Sequence, residues 1–289
     1  QDGRKKSHMK IALGQIDMVW EEKEQSFQKA EQMIKEAAKK RADVILFPEM
    51  AFTGFSMNIE KIAEPEQDSL TRQQMERFAK QYHVAIGYGW AAQGKKADQK
   101  AKNCFTLLDR EGKDLAQYTK IHPFSYGKED QYYQKGKEIV TVPFLGRTIG
   151  LFICYDLRFP EVFSIAAKKA DIMFVIAEWP ASRRDHWKTL LRARAIETQS
   201  YVVGVNCTGT HDGLEYSGDS MAVDAIGNVL GCLEEKEGVL ICDLDDKAWI
   251  LRGKFQTAKD RQEDFYMKHY EFATQESLFS CAEFVNAGV

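Results

Sequence analysis

Apolar runs of strand length recur along almost the whole chain, alternating with longer amphipathic stretches; this confines it to layered folds in which helices cover sheet. Residues 10–15, 43–47, 84–90, 102–108, 115–119, 148–153, 171–177, 201–206, 219–224, 229–233 and 238–243 read as strands. Residues 22–40 read as a helix, because Phe27, Ala30, Met33, Ile34, Ala37 and Ala38 share one face; 71–82, 161–169 and 185–199 read likewise. Turns are expected at 109–112 and 225–228. With no internal repeat, low-complexity tract or Pro/Gly/Ser-rich linker, one domain is expected. Periodicity leaves open whether its strands form a parallel sheet, a mixed sheet or two packed sheets.

Composition narrows the function classes. The chain has 289 residues, 44% hydrophobic and 29% charged, which is ample for a large core. Its formal net charge is −3 with both signs interspersed, which argues against nucleic acid as a partner and against electrostatic docking on a membrane. The basic cluster Arg4, Lys5 and Lys6 falls in residues 1–8, which read as an expression remnant, with Met9 as the native start and the domain running 9–289. No run of about 18 apolar residues and no signal peptide is visible. The six cysteines stand singly, as do His83, His122, His186 and His211. Reduced thiols in a cytoplasmic protein are therefore expected, with no metal and no cofactor.

Three strands run directly into a reactive side chain. Val44-Ile45-Leu46-Phe47-Pro48 leads to Glu49, Leu115-Ala116-Gln117-Tyr118-Thr119 to Lys120, and Ile149-Gly150-Leu151-Phe152-Ile153 to Cys154. Taken singly each has an ordinary explanation: a cysteine ending a buried strand usually packs, a lone lysine is usually solvated, and a glutamate after proline caps a turn. Taken together, they put a carboxylate, an ammonium and a thiol at strand ends, where rigid scaffolds present reactive groups.

The flanking motifs Leu46-Phe47-Pro48-Glu49, Tyr118-Thr119-Lys120-Ile121-His122-Pro123-Phe124 and Gly150-Leu151-Phe152-Ile153-Cys154-Tyr155-Asp156-Leu157-Arg158-Phe159-Pro160-Glu161 occur in this order. They resemble the carbon–nitrogen hydrolase (nitrilase) superfamily across nearly the whole chain from Met9. The resemblance implies an α-β-β-α sandwich and a Glu–Lys–Cys triad of Glu49, Lys120 and Cys154, with Glu129 as a second glutamate beside the lysine. It implies amide hydrolysis through a thioester, with Glu49 as proton carrier and with Lys120 and a backbone N–H, that of Tyr155, stabilising the oxyanion.

The stretch from Ala177-Glu178-Trp179-Pro180 through Arg183 to His186-Trp187 is similar to the bacterial omega-amidase branch, as are Gly204-Val205-Asn206-Cys207-Thr208-Gly209, Tyr216-Ser217-Gly218-Asp219-Ser220 and Arg252-Gly253-Lys254-Phe255. That branch implies hydrolysis of 2-oxoglutaramate or 2-oxosuccinamate to a dicarboxylate and ammonia. A substrate carboxylate needs a cation, for which Arg183 is the first candidate and Arg158 the second. Arg158 and Glu161 are also expected to pair at a helix start, and Trp179 to line the pocket. Two positions depart from the branch: Glu178 stands where it often has Asn, and Cys207 where it often has Arg. A negative Glu178 facing the pocket would oppose an anionic substrate. The resemblance also implies a homodimer or higher homo-oligomer. Sibling readings are an amidase for deaminated glutathione, an N-carbamoyl amino acid or an aliphatic amide; a non-catalytic binding protein on the same fold is a further one.

Overall fold

The structure, a computed structural model, describes residues 8–94 and 99–273. Most of the expected remnant, residues 1–7, and Cys281 lie outside the described residues. The strands are β1 (Met9–Gln15), β2 (Val44–Leu46), β3 (Ala85–Ala92), β4 (Lys102–Leu108), β5 (Asp114–Thr119), β6 (Thr141–Phe144), β7 (Arg147–Ile153), β8 (Ile172–Ala177), β9 (Tyr201–Asn206), β10 (Thr208–His211), β11 (Leu214–Val223), β12 (Val229–Glu234) and β13 (Gly238–Leu244). The helices are α1 (Lys23–Lys39), α2 (Ile59–Ile62), α3 (Leu70–Tyr82), α4 (Glu129–Tyr132), α5 (Pro160–Ala166), α6 (Arg184–Thr198), α7 (Lys247–Lys254) and α8 (Glu263–Ala273).

Two mixed sheets result. The first runs β13-β1-β2-β3-β4-β5; the second runs β10-β11-β9-β8-β7-β6, with β12 paired to β11. The two-residue period of a strand sends alternate side chains to opposite layers. Ile11 and Leu13 of β1 and Val44 and Leu46 of β2 meet Ile149, Leu151, Ile153, Phe174, Ile176 and Val203 of the second sheet in a core between the sheets. Their neighbours Ala12 and Ile45 face the other way, against Phe27 and Ile34 of α1 and Met75 and Phe78 of α3. On the opposite side, Phe152 and Val175 pack under Phe163 of α5 and Trp187 and Leu191 of α6. The order of layers is α-β-β-α in one domain, which resolves the question that periodicity left open.

The differences from expectation have local causes. Strand β6 sits at a sheet edge and contains Pro143, which removes a ladder donor and weakens the strand signal. The strand expected over 219–224 begins at Leu214, and its hairpin partner β10 was unforeseen, both being rich in polar residues. The helix expected over 161–169 is Pro160–Ala166, with the proline at its first position, where a missing N–H costs nothing. Helices α7 and α8 escape periodicity because Ala248 is the only buried residue of the first, and Phe265, Met267 and Tyr270 of the second are exposed. Among the described residues no helix is long and apolar enough to cross a membrane.

Candidate active site

In both sheets the chemistry sits where parallel neighbours end: β2 lies parallel to β1 and β3, and β8 parallel to β7 and β9. Glu49 lies three residues past β2, Lys120 directly past β5, Cys154 directly past β7 and Glu178 directly past β8. Ladders that stop together leave a crevice at their carboxyl ends, which is where α/β sheets bind ligands.

The Lys120 ammonium donates to Glu49 Oε1 at 2.7 Å and to Glu129 Oε2 at 2.8 Å, and all three side chains are fully buried. Burial by itself would push the lysine toward its neutral form; the Glu129 and Glu49 carboxylates reverse this and hold its pKa well above the ordinary value. Glu129 is lifted above the usual carboxylate range by burial, with Lys120 pulling the other way. At Cys154 burial pushes the thiol well up, the charge of Glu49 adds to this, and Lys120 opposes it. The Cys154 Sγ also lies 3.8 Å from the Glu178 carbonyl oxygen. A buried thiol beside a carboxylate is a poor spontaneous thiolate but is placed to lose its proton to that carboxylate as it attacks.

The backbone is bent to present these groups. Cys154 has φ +46°, in the left-handed region that a Cβ disfavours, and it opens the 3-10 turn Cys154–Arg158 that carries Tyr155. The first N–H groups of such a turn have no acceptor within it. Met50, after Glu49, is also left-handed at φ +42°. Opposite it, a Cβ at Gly89 would stand 2.6 Å from Glu49 Cα, Met50 N and Pro48 O, so β3 needs glycine to let the Glu49 loop approach.

Two residues that sequence reasoning passed over hold the site together. Asn103, on β4, donates from Nδ2 to Glu49 Oε1 (2.7 Å) and Glu129 Oε1 (2.9 Å), and its carbonyl accepts from Lys120 N (2.9 Å). Its signal was a lone amide within an apolar strand. Buried Asp156 accepts from Ile153 N (3.0 Å) and the Tyr118 hydroxyl (2.7 Å) through Oδ2, and from His122 N (3.1 Å) and Nδ1 (2.8 Å) through Oδ1. One carboxylate thus ties the bend at Cys154 to the chain on both sides of Lys120.

Cys154 opens into a cavity of about 450 Å³ whose walls include Phe55, Phe124, Tyr155, Arg158, Glu178, Trp179, Arg183 and Tyr216. Arg158 lies over the Trp179 ring at 4.9 Å and Arg183 over the Phe124 ring at 5.5 Å. Among the described residues neither guanidinium pairs with a carboxylate. The expected Arg158–Glu161 pair does not form: Arg158 Nη2 meets His186 Nδ1 at 3.1 Å, and Glu161 accepts from the Tyr270 hydroxyl at 3.0 Å. Trp179 both lines the cavity and fills core, donating to the Arg183 carbonyl at 2.8 Å and packing on Trp187. Cys207 is buried beside Met18 and Tyr216, outside the cavity wall.

The environment of Glu178 bears on the expectation that a negative charge there would oppose an anion. Burial, reinforced by Glu49, lifts its carboxyl well above the usual range and so toward the neutral form. In a folded chain that binds this proton more tightly than the unfolded chain does, stability falls as pH rises from about 4.5 toward the folded value, by up to about 1.4 kcal/mol per pH unit. Glu178→Gln carries no such proton. Its melting temperature relative to the parent is expected to rise between pH 5 and pH 8 in thermal melts; a constant difference would show that the carboxyl is already ionised.

Among the described residues one group of side chains converges as metal ligands would. Asp219, Cys232 and Glu234 converge, but Arg184 and Lys188 lie 2.8 and 3.0 Å from Asp219, and Lys188 lies 2.7 Å from Glu234, so the protein's own cations occupy that charge.

Comparison with known proteins agrees with this architecture. The chain is 34% identical over 259 residues to the 2-oxoglutaramate amidase of Bacillus subtilis (strain 168), covering 89% of this chain and 98% of that one. It is 37% identical over 224 residues to the omega-amidase YafV of Yersinia enterocolitica, covering 77% and 84%. The crystal structure of XC1258 from Xanthomonas campestris, a CN-hydrolase superfamily protein with an arsenic adduct in its active site, superposes with a TM-score of 0.81 at 28% identity, covering 88% of this chain and 97% of that one. The carbon-nitrogen hydrolase family model matches residues 10–251, which contain both sheets and every polar group that converges at the strand ends; the chain belongs to the carbon–nitrogen hydrolase family.

Proposed function

We propose that this enzyme hydrolyses the terminal amide of a small oxo-acid amide, of which 2-oxoglutaramate and 2-oxosuccinamate are the models, releasing ammonia and the dicarboxylate. Cys154 is the nucleophile. As its sulfur bonds the amide carbon, Glu49 takes the thiol proton, and Lys120 with the Tyr155 N–H stabilises the oxyanion. Glu49 passes that proton to nitrogen as the C–N bond breaks. Ammonia leaves, and water attacks the thioester while losing a proton to Glu49. Expulsion of the sulfur returns that proton to it. Glu129 orients Lys120.

The observation that carries the substrate reading is the pair of arginines on the cavity wall, each over an aromatic ring and neither matched by a carboxylate among the described residues. A guanidinium so placed suits two-point binding of a substrate carboxylate. The names of the Bacillus and Yersinia relatives point the same way. Ammonia release across 2-oxoglutaramate, deaminated glutathione, an N-carbamoyl amino acid and an aliphatic amide tests it, with 2-oxoglutaramate expected first. Arg183→Leu or Arg158→Leu should raise its KM by about tenfold to a hundredfold. A parent that prefers the uncharged amide would reject the reading.

Self-association is part of the proposal. Ile165 on α5, Ile196 on α6, and Phe265 and Met267 on α8 are exposed, which supports a homodimer or larger assembly. The five described cysteines are free thiols, which supports a reducing, cytoplasmic setting.

A further inference from the structure

We infer that Glu178 is a specificity-determining residue whose carboxyl O–H, at Oε1, donates to the keto oxygen of the substrate while the arginines take its carboxylate. This rests on the oxo-acid reading above and names the group that recognises the oxo function.

The backbone of Glu178 is locked against the reactive end of the cavity. Its N–H donates to Glu49 Oε2 at 3.0 Å, and its carbonyl oxygen is the acceptor near the Cys154 sulfur. Its side chain, 4% exposed, forms part of the cavity wall. Oε2 accepts from Phe55 N at 2.9 Å, but Oε1 is buried without a hydrogen-bond partner among the described residues. Buried polar atoms are nearly always satisfied, and an idle one is costly. An idle carboxyl oxygen in the wall beside a nucleophile is one that a ligand completes.

The chemistry of that partner follows from the surroundings. Enclosure beside the Glu49 carboxylate disfavours a second negative charge, so the free oxygen carries a proton and donates. A donor calls for an acceptor, and a keto oxygen is an acceptor only. An ammonium or a second amide N–H on the substrate would call for the ionised form. Depth assigns the two oxygen functions. Glu178 is buried next to the sulfur, whereas Arg158 and Arg183 are partly exposed over Trp179 and Phe124 and so meet the outer end of the substrate.

The test compares 2-oxoglutaramate with glutaramate, which replaces the keto group by methylene and keeps both the amide and the carboxylate. The readout is the ratio of their kcat/KM values in the parent, Glu178→Gln and Glu178→Met. Glutamine keeps an acceptor for Phe55 N and supplies an uncharged donor, so its ratio should stay within about threefold of the parent's. Methionine fills similar space without a donor, and its ratio should fall by about tenfold to a hundredfold. A ratio unchanged in Glu178→Met overturns the inference. So does an equal fall in both variants, which would mean that the ionised carboxylate matters, or loss of turnover on both amides, which would place Glu178 in support of the catalytic groups. A parent with no preference for 2-oxoglutaramate fails the oxo-acid reading itself, a result distinct from a preference that survives Glu178→Met.

Discussion

Cys154→Ala should release no ammonia above background from any amide that the parent hydrolyses, while its circular dichroism and melting temperature stay close to the parent's. The expectation does not come from an unusually acidic thiol. Burial raises Cys104 to about 12 and Cys242 to about 11, pushes Cys207 well above its ordinary value, and raises Cys232 as well. Cys154 is raised with them. What separates it is that its sulfur opens on the cavity beside a carboxylate that can take the proton during attack, so the thiolate need never accumulate. Alanine inherits the left-handed φ of +46° at no added strain, because cysteine already carries a Cβ there. Intact-protein and peptide mass spectrometry supply the second readout. Parent enzyme quenched during turnover should carry the acyl group on Cys154 and on no other cysteine. An alanine variant that turns over like the parent, or an adduct on another thiol, would remove the thioester mechanism.

How much of this site was legible in the chain follows from how each residue is positioned. Glu49, Lys120 and Cys154 are legible together: each follows a strand, a signal weak in any one of them, and the order of the three flanked motifs makes the case. The strands were legible but their faces were not: Ile11, Ala12 and Leu13 are all apolar because β1 packs on both sides, so no alternation marks which face meets which layer. Asn103 was hidden, since its work depends on which strands neighbour β4. Its amide bridges Glu49, two strands away across β3, and Glu129, which follows β5. Asp156 was in plain view two residues after Cys154, yet three of its four acceptor contacts, those to Tyr118 and His122, form only once the ends of β5 and β7 are brought together. The charge of Glu178 was not legible. A glutamate in a sequence is read as an anion, whereas burial, reinforced by the neighbouring Glu49, pushes this one toward the neutral form. The Arg158–Glu161 pair did not form: a shared helix start suggested contact, but Pro160 starts α5 between them, and each side chain found its partner in a distant element.

Replacing Lys120 by methionine should damage fold and reaction together, and pH should separate the two effects. In the parent a single ammonium serves two fully buried carboxylates, Glu49 and Glu129, at 2.7 and 2.8 Å. Methionine keeps much of the side-chain volume and removes the charge, leaving two acids beside each other with only the Asn103 amide between them. Breaking a buried pair from one side typically costs about 3–5 kcal/mol, because the remaining charge has no compensation. The folded protein escapes part of that cost by taking up a proton on one of the carboxylates, which raises a folded-state pKa above its unfolded value. The sign follows: a group raised in the fold favours folding at low pH and loses that advantage as pH rises. The stability deficit of Lys120→Met, from urea unfolding, should therefore be largest near pH 8 and shrink toward pH 5. Activity should not follow. The missing cation leaves the oxyanion with one donor fewer, costing on the order of a hundredfold or more in kcat. Turnover should thus stay low at pH 5, where the variant is better folded. A variant that melts with the parent at pH 8 and keeps turnover within about tenfold would mean that Lys120 neither balances the two acids nor meets the oxyanion.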